Sequence, residues 1–509
     1  MIGSRHERVA RFDRLVGAGT DPDSLKSDSV RGGAFSAAAE GIDFFLRLGS
    51  IAVLARLLVP EHFGLIAMVL SVTTVAERFK DLGLSIATVQ RKDLTHDQVS
   101  TLFWINGGLG LLSGLVVALL AVPIARFFHD DRLIGITLAI AASFVWSGLT
   151  IQHQALLRRT MRFGYIAIIS VCASLLSIVV AILMAMNDYG YWALVAREVS
   201  RSAFLAIGIW GACRWIPDAP SRNTGAWEMM RFGGSLALVQ LATLFSLNFG
   251  SIVIGRVFGA GPVGLYRQGY SLVLGPFTQL TYPIWSVSEA ALSRMQDDFE
   301  RYRSYYRRLL TLFSGITMPL AAFLAIHAEQ IVLVFLGADW IEATPIFRIM
   351  AIASFLYPAA TTISLVMITS GQSTRLLWLG LMTAACLMAL CLLGALWGPS
   401  GVAAAHIFTT LLMLGPRLYF GLRGTPVGAS DFFASIARPA MASLLMAAVL
   451  WLLERNYLDG QAFTTLVIGG IAGPLLYLSL WTALPGGRHE LVALTRALSL
   501  AIQRRKAAP

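Results

Sequence analysis

Long apolar runs, separated by short polar connections, fill almost the whole chain. A membrane-crossing helix needs about 20 mostly apolar residues. Runs of that length begin near Ala34, Phe63, Val99, Leu133, Phe163, Tyr191, Phe232, Gly264, Leu309, Thr344, Arg375, Gly401, Phe432 and Phe463. No run alternates between apolar and polar residues with period two, as membrane-spanning strands do. The pattern predicts an all-α polytopic membrane protein with about 14 transmembrane helices.

Composition agrees with this prediction and removes the soluble alternatives. Of the 509 residues, 56% are hydrophobic and 14% are charged, whereas about a quarter of an ordinary soluble domain is charged. The mean hydropathy is +0.68. A net charge of +11 would suggest nucleic-acid binding in a soluble domain, but in a membrane protein it is the excess that the positive-inside rule describes. We therefore expect no nucleic-acid partner.

Basic residues separate onto alternate connections between the apolar runs. With the N-terminus in the cytoplasm, the cytoplasmic connections and the tail carry Arg91, Lys92, Arg158, Arg159, Arg162, Arg214, Arg222, Arg231, Arg294, Arg301, Arg303, Arg307, Arg308, Arg375, Arg417, Arg423, Arg504, Arg505 and Lys506. The opposite connections carry only Arg56, Arg126, Arg132, Arg256 and Arg455. Since Lys and Arg are enriched on the cytoplasmic side, both termini are predicted to be cytoplasmic. The first 30 residues lack a signal-peptide pattern. Residues 5–16 are compatible with either a basic amphipathic helix or a disordered tail.

The chain resembles itself at an offset of 200 residues. Nine residues match between segments 31–71 and 231–271, among them Arg56 with Arg256 and Gly64 with Gly264. An offset of six helices keeps both copies in the same orientation, which predicts two parallel six-helix lobes around a central cavity, plus two C-terminal helices. The predicted boundaries are 1–30 for the N-terminal tail, 31–220 for the N-lobe, 221–423 for the C-lobe, 424–486 for the last two helices and 487–509 for the C-terminal tail.

Ionisable side chains occur inside the predicted spans, where they cost at least about 2.5–3.5 kcal/mol each and usually face a wet interior. In the first helix, the spacing of Glu40, Asp43 and Arg47 places them on one face. Later helices add Glu77, Arg78, Lys80, Asp81, Arg197, Glu198, Arg201 and Arg267. Each residue alone is compatible with a structural ion pair or with snorkelling. Because arginine binds phosphate through paired hydrogen bonds, the set predicts a cavity suited to a phosphate or pyrophosphate group. The carboxylates either bind coupling cations or balance the arginines.

Motifs for catalysis or cofactor binding are missing from the sequence. There is no GxxxxGK[ST] loop for ATP, and the four cysteines lie in apolar segments without the spacing of a metal site or a disulfide framework. Asp130 and Asp131 share a short connection, where a solvated turn is the simpler interpretation. His327 and His406 stand alone in the sequence, and each is interpreted as a core histidine whose hydrogen bonds are satisfied. We expect no cofactor, no metal site and no enzymatic activity.

Four segments together resemble a known family: ARLLVPEHFGLIAMV, KDLGLSIATVQRKDLTHDQVSTLFWIN, GLYRQGYSLVLGP and EAALSRMQDDFERYRSYYRRLL. The chain resembles the polysaccharide transporter family, bacterial flippases within the multidrug/oligosaccharidyl-lipid/polysaccharide exporter superfamily, over residues 30–425. The last two helices are similar in architecture only. The resemblance implies an inner-membrane transporter that moves polyprenyl-diphosphate-linked oligosaccharide units to the outer leaflet for exopolysaccharide, capsule or O-antigen synthesis.

The resemblance also implies a central cavity whose cationic residues bind the anionic head group. The substrate-binding candidates are Arg47, Arg78, Lys80, Arg197, Arg201 and Arg267. The candidates for ion coupling or charge balance are Glu40, Asp43 and Asp81. The implied partners are the lipid-linked oligosaccharide, membrane lipids, and polysaccharide polymerase and export machinery.

Three other functions stay open at this point. A multidrug or cation antiporter of the same superfamily would use the carboxylates as ion or drug sites. A membrane glycosyltransferase or polymerase would need acidic catalytic groups on a substantial outer loop, and the outer connections here are short. A scaffold for a polysaccharide-synthesis complex would not need the arginines inside the cavity.

Overall fold

Helices form all the regular structure in the described part of the chain. The computed structural model describes residues 5–17, 22–81, 83–91, 93–221, 245–457 and 461–492. Within these ranges there is no strand. This confirms the predicted all-α class.

The helices fall at the positions that the apolar runs predict. The first ten are α1 (Arg5–Gly17), α2 (Pro22–Leu57), α3 (Pro60–Phe79), α4 (Leu84–Gln90), α5 (His96–Leu119), α6 (Ala121–Phe128), α7 (Arg132–Arg159), α8 (Phe163–Met186), α9 (Trp192–Cys213) and α10, described over Phe245–Phe258. The others are α11 (Ala260–Ser293), α12 (Phe299–Ile326), α13 (Ala328–Phe335), α14 (Thr344–Thr369), α15 (Ser373–Gly394), α16 (Gly398–Leu422), α17 (Ala429–Tyr457) and α18 (Ala462–Ala483). Two short 3-10 helices, Ala338–Ala343 and Ala395–Trp397, precede α14 and α16.

The predicted start at Phe232 lies outside the described residues, and the other predicted starts lie in, or directly before, one of these helices. Within the described ranges, 8 helical segments are long and apolar enough to cross a membrane by length and composition. The structure thus supports a polytopic membrane protein, and the number of 14 spans stays a prediction.

Local sequence explains where several helices begin and end. Pro60 opens α3 after an extended residue, a position where the missing N–H of proline costs nothing. Thr95 and Gln98 form a reciprocal capping box at the start of α5, which satisfies two backbone donors. Asp298 accepts a hydrogen bond from the backbone N–H of Arg301 and so caps α12. His129 takes a left-handed conformation, with φ 59°, and ends α6.

The N-terminal segment contains a docked helix, which decides between the two alternatives left open by the sequence. Phe12 of α1 is 1% exposed and lies edge-on to the ring of His96, with a centroid distance of 5.4 Å. Arg8 Nε lies 2.6 Å from a carboxylate oxygen of Asp218, and His96 Nε2 lies 3.1 Å from its other oxygen. Apolar burial and charge pairing together hold α1 against the start of α5.

The chain divides into two compact units, Met1–Gly264 and Leu265–Pro509, here called unit 1 and unit 2. In unit 1, α5 packs on α7, α7 on α9, and α8 on α9. In unit 2, α12 packs on α14, α14 on α16, and α15 on α16. The same pairing order therefore occurs twice in the chain, as two copies of one helical unit produce. The lobe boundaries given above remain predictions.

Two glycines allow very close backbone approach in unit 1. A methyl group on Gly64 of α3 would lie 1.7 Å from the carbonyl oxygen of Ala260, and one on Gly264 would lie 1.9 Å from that of Pro60. These four residues are two pairs at the 200-residue offset, so the two contacts exchange when the offset is applied. Only glycine fits at either position, because any Cβ would overlap backbone atoms.

Candidate functional site

A cluster of charged side chains lies where α2, α8 and α9 pack together in unit 1. It consists of Asp43, Arg47, Arg197, Glu198 and Arg201, and is called the charge cluster below. α8 packs against both α2 and α9, which brings the charged faces of α2 and α9 to the same helix. All five residues were singled out in the sequence, and four of them are candidate site residues.

The charge cluster contains two short ion pairs. A guanidinium nitrogen of Arg47 lies 2.6 Å from Oδ2 of Asp43, one helical turn away, and Arg197 lies 3.0 Å from Oε1 of Glu198. Arg201 Nε donates to Ser174 Oγ on α8 over 3.3 Å. Asp43, Arg47, Arg197 and Glu198 are all electrostatic neighbours of Arg201. Three guanidinium groups against two carboxylates leave one excess positive charge.

Arg47 is the most accessible cation of the charge cluster. Its side chain is 62% exposed although it pairs with Asp43, whose side chain is 15% exposed. A guanidinium presents five N–H donors, so one carboxylate leaves Arg47 with donors for a second anion. Oδ1 of Asp43 is buried without a hydrogen-bond partner. The arrangement can therefore bind an anionic group at Arg47, and the charge of Arg201 lies within electrostatic range of Arg47.

Lys80 belongs to a different polar group in unit 1. Its ammonium donates to Ser147 Oγ over 2.7 Å, lies 3.7 Å from Glu77 and faces the ring of Phe144 at 5.3 Å. Its backbone carbonyl accepts a hydrogen bond from Asn106, which is fully buried on α5. These contacts tie Lys80 to α5 and α7, so its role here is at least partly structural.

The remaining unit 1 candidates have distinct surroundings. Asp81 accepts hydrogen bonds from the backbone N–H and the hydroxyl of Ser85, at 2.9 and 2.6 Å, and so stabilises the first turn of α4. Glu40 is exposed on α2. The side chain of Arg78 lies outside the described residues. The sequence suggested ion coupling or charge balance for Asp81, which stays a prediction, and the structure adds its contacts with the first turn of α4.

Arg267 lies in unit 2 among aromatic and polar side chains. Its guanidinium faces the ring of Tyr270 at 5.9 Å, a favourable cation–π arrangement. The neighbouring Tyr266 is 1% exposed, and its hydroxyl lies 3.1 Å from Nε2 of His406 on α16. The side-chain oxygen of Gln268 is buried without a hydrogen-bond partner.

Sequence reasoning did not identify the partners of the buried polar residues on α16. His406 was interpreted as a satisfied core histidine, and its hydrogen bond with Tyr266, 140 residues away, agrees with that interpretation. Arg417, assigned to a cytoplasmic connection, is half-buried within α16 and donates to Thr383 over 3.4 Å. The motif around Tyr266 was visible in the sequence, whereas these partners come from another helix and leave no spacing signal.

Metal binding finds no support in the described part of the chain. No group of three or more His, Cys, Asp or Glu side chains there is placed to hold a metal ion. The four cysteines are free thiols. The chemistry available to the sites described above is ion pairing and hydrogen bonding.

Comparison with known proteins gives the family. The model of the polysaccharide biosynthesis protein family matches residues 53–345, more than half of the chain. The chain belongs to this family. The match spans α3 to the start of α14 and includes the Arg197–Glu198 and Arg201 part of the charge cluster. It confirms the resemblance inferred from the sequence and identifies the chain as a membrane transport protein of polysaccharide biosynthesis.

Several relatives in this family have names that agree. The succinoglycan biosynthesis transport protein ExoT of Rhizobium meliloti (strain 1021) is 26% identical over 87% of this chain and 89% of its own length. The teichuronic acid biosynthesis protein TuaB of Bacillus subtilis (strain 168) is 24% identical over 80% of this chain and 86% of its own. The lipopolysaccharide biosynthesis protein WzxC of Escherichia coli (strain K12) is 26% identical over 65% of this chain and 68% of its own length.

Comparison with solved structures identifies proteins that share the fold. The lipid II flippase MurJ, in an inward closed conformation, aligns with a TM-score of 0.72 and 14% identity over 87% of this chain and 97% of that structure. An inward-facing multidrug resistance MATE transporter of the MOP superfamily aligns with a TM-score of 0.57 and 15% identity, over 74% and 93%. At these identities the comparison establishes a shared fold.

Proposed function

We propose that this member of the polysaccharide biosynthesis protein family is a flippase for polyprenyl-diphosphate-linked oligosaccharide repeat units. It translocates them across the bacterial inner membrane for exopolysaccharide, capsule or O-antigen synthesis. Family membership supports transport in polysaccharide biosynthesis, and the charge cluster supports an anionic substrate. The observation that carries the proposal is the exposure of Arg47. Its side chain lies on a predicted membrane span and is 62% exposed.

The proposed mechanism is alternating access. The pyrophosphate binds Arg47 and Arg201, the oligosaccharide occupies the wet interior, and the polyprenyl tail stays in the lipid. Substrate can shift the equilibrium between inward-facing and outward-facing states only by binding one state more tightly than the other. Arg267 in unit 2 is a third candidate cation, and it lies beside the ring of Tyr270. In this proposal both termini are cytoplasmic.

The competing antiporter function is less well supported by the same geometry. It requires Glu40, Asp43 or Asp81 to bind a drug or coupling cation. Asp43 is paired with Arg47, and Asp81 accepts two hydrogen bonds from Ser85. Two of the three carboxylates therefore already have partners that a cation would have to displace.

The test is a flip assay with purified protein in liposomes. Lipid-linked repeat units are placed in both leaflets, and an impermeant sugar-modifying enzyme reads those in the outer leaflet. We expect Arg47→Ala and Arg201→Ala to lower the flipping rate about tenfold or more, because a hydrogen bond to a charged group contributes about 1.5–3 kcal/mol. Arg47→Lys keeps the charge but loses paired hydrogen bonding and should fall between.

Arg126→Ala is the matched control, because Arg126 is an exposed arginine outside the charge cluster. Wild-type flipping by folded Arg47→Ala and Arg201→Ala proteins would remove the charge cluster from the substrate site. No flipping by folded wild-type protein, with ion gradients supplied, would refute the flippase proposal itself.

A further inference from the structure

A buried polar group lies at the junction of α12 and α13 in unit 2. His327, the residue between these helices, is 1% exposed, and its Nδ1 lies 3.2 Å from Oε2 of Glu454 on α17. The side-chain amide of Gln330 on α13 donates a hydrogen bond to the other carboxylate oxygen. The substrate site proposed above uses none of these residues.

Hydrogen bonding in this group is incomplete. Both ring nitrogens of His327, the side-chain oxygen of Gln330 and Oε2 of Glu454 are buried without a hydrogen-bond partner. His327 Nδ1 and Glu454 Oε2 are close enough for a hydrogen bond but do not complete one. Because the great majority of buried polar atoms in proteins are paired, several unpaired atoms in one group indicate a site for a small ligand.

Charged neighbours do not supply that ligand. Arg348 on α14 lies within electrostatic range of Glu454, but its Nε donates to the backbone of Ala325, and Glu329 adds a second negative charge. Arg455 faces the ring of Trp451 at 5.4 Å.

The other elements around His327 do not provide a charged partner either. On the α12 side, the ring of Phe323 lies 4.8 Å from the imidazole. α18 contains no Asp, Glu, Lys, Arg or His. Because the Glu454 side chain is only 22% exposed, an ionised carboxylate beside a neutral imidazole would be a poorly solvated negative charge, which is unfavourable.

We propose that His327 and Glu454 form a proton-binding site, in which one proton is held between Nδ1 of the imidazole and Oε2 of the carboxylate. The bound proton makes the pair neutral overall and attracts the two atoms, which lie 3.2 Å apart, towards a charge-assisted hydrogen bond. Neither an imidazolium nor a carboxylate is stable alone at this position, because burying an unpaired charge is costly. The two groups thus titrate as one unit.

The site also links the proton to the packing of α18. A methyl group on Gly469 of α18 would lie 2.5 Å from Nε2 of His327, so the imidazole lies directly against that helix. Loss of the proton leaves a buried negative charge that only water can solvate. Deprotonation therefore weakens the packing of α18 on α13.

The pH dependence of unfolding tests the site without any transported substrate. The folded pair holds one proton, whereas in the unfolded chain Glu is deprotonated above about pH 4.3 and His above about pH 6.5. Above about pH 6.5 the native state therefore binds one more proton than the unfolded state, and stability falls as pH rises. For purified full-length protein in detergent, the unfolding constant should rise up to about tenfold per pH unit from this site.

Two sets of variants isolate this contribution. His327→Gln and Glu454→Gln should each lose it, whereas Glu300→Gln, which changes an exposed carboxylate at the opposite end of α12 from His327, should keep it. Gly469→Ala displaces the imidazole but leaves both titratable groups in place, and should reduce the pH slope. Gly470→Ala is its matched control, because nothing lies within 4 Å of the added methyl.

The same pH slope in wild type, Glu454→Gln and Gly469→Ala would overturn the proton site. If the Gln variants do not fold, the comparison of Gly469→Ala with Gly470→Ala still decides. Because none of these measurements involves flipping, failure of the proton site is distinguishable from failure of the flippase proposal.

Discussion

Arg132 joins two carboxylates from different elements at one end of unit 1. Its guanidinium lies 2.6 Å from Glu61 on α3 and 2.7 Å from Asp130, which precedes α7. Asp130 also accepts a hydrogen bond from the backbone N–H of Arg132. The Asp130-Asp131 connection is thus more organised than the solvated turn that the sequence suggested, because one of its two carboxylates is held by an arginine.

Protonation of Asp130 should account for part of the stability that the protein loses in acid. Hydrogen bonding to the Arg132 side chain lowers the pKa of Asp130 below its ordinary value. A lowered folded-state pKa contributes stability that is present above the unfolded pKa of about 3.9 and is lost as pH falls through the folded value. We therefore expect the melting temperature of Asp130→Asn to fall less steeply than that of the wild type as pH drops below about pH 4. The measurement is thermal unfolding in detergent at a series of pH values.

Asp131→Asn is the control for that measurement, because it changes the neighbouring exposed carboxylate. Equal acid sensitivity in Asp130→Asn and wild type would show that the Arg132 contact does not stabilise the fold.

Contacts within one helix could be predicted from the sequence, and contacts between helices could not. The spacing of Asp43 and Arg47 predicted that they share a face, and they form an ion pair. The contact of His327 with Glu454 joins residues 127 positions apart, and spacing carries no information at that range. His327 was interpreted as a satisfied core histidine; it is buried as expected, but both of its ring nitrogens lack a hydrogen bond.

At the level of elements, glycines decide how closely helices approach. Gly110 on α5 and Gly148 on α7 face each other, and a methyl on either would lie 2.8 Å from a backbone carbonyl oxygen of the other helix. Gly64 is more restricted, because a methyl there would lie 1.7 Å from the carbonyl oxygen of Ala260. These close approaches are set by backbone geometry, and no larger side chain preserves them.

Gly64→Ala should therefore destabilise the protein. Overpacking typically costs about 1–3 kcal/mol, which exceeds the gain of about 1 kcal/mol from replacing glycine by alanine inside a helix. Gly41→Ala in α2 is the control, because nothing lies within 4 Å of the added methyl, and it should be neutral or stabilising. Thermal unfolding of the two variants measures the difference, and equal stabilities would contradict the close α3 contact.

Helix positions followed from the apolar runs better than helix details did. The predicted starts, apart from Phe232, lie in or directly before described helices, because about 20 apolar residues have few alternatives in a bilayer. However, α2 begins at Pro22 and α12 at Phe299, well before the predicted starts at Ala34 and Leu309. The short helices α4, α6 and α13, with 7, 8 and 8 residues, were not predicted. They lie at the ends of longer helices, where tertiary packing decides whether a short segment is helical.

At the scale of the whole molecule, the internal repeat is the strongest link between sequence and architecture. The 200-residue offset was visible as nine identities, and the helix pairing order recurs in both units. The charged sites do not follow the repeat. Unit 1 carries the charge cluster, whereas the corresponding helix pair of unit 2, α15 and α16, includes His406 at its contact with Tyr266. The repeat therefore did not predict the polar contact in unit 2.

Orientation in the membrane is the whole-molecule prediction that the excess of basic residues makes. Asp131, before α7, and Asp297, before α12, are both exposed, and the positive-inside rule predicts that they face opposite sides. Single cysteines at these positions, in a variant whose native cysteines are replaced, should report the side directly. We expect an impermeant maleimide added to intact spheroplasts to label Asp131→Cys, and to label Asp297→Cys only after lysis. Labelling of Asp297→Cys alone before lysis would invert the orientation, and the charge cluster would then have to be reached from the other side.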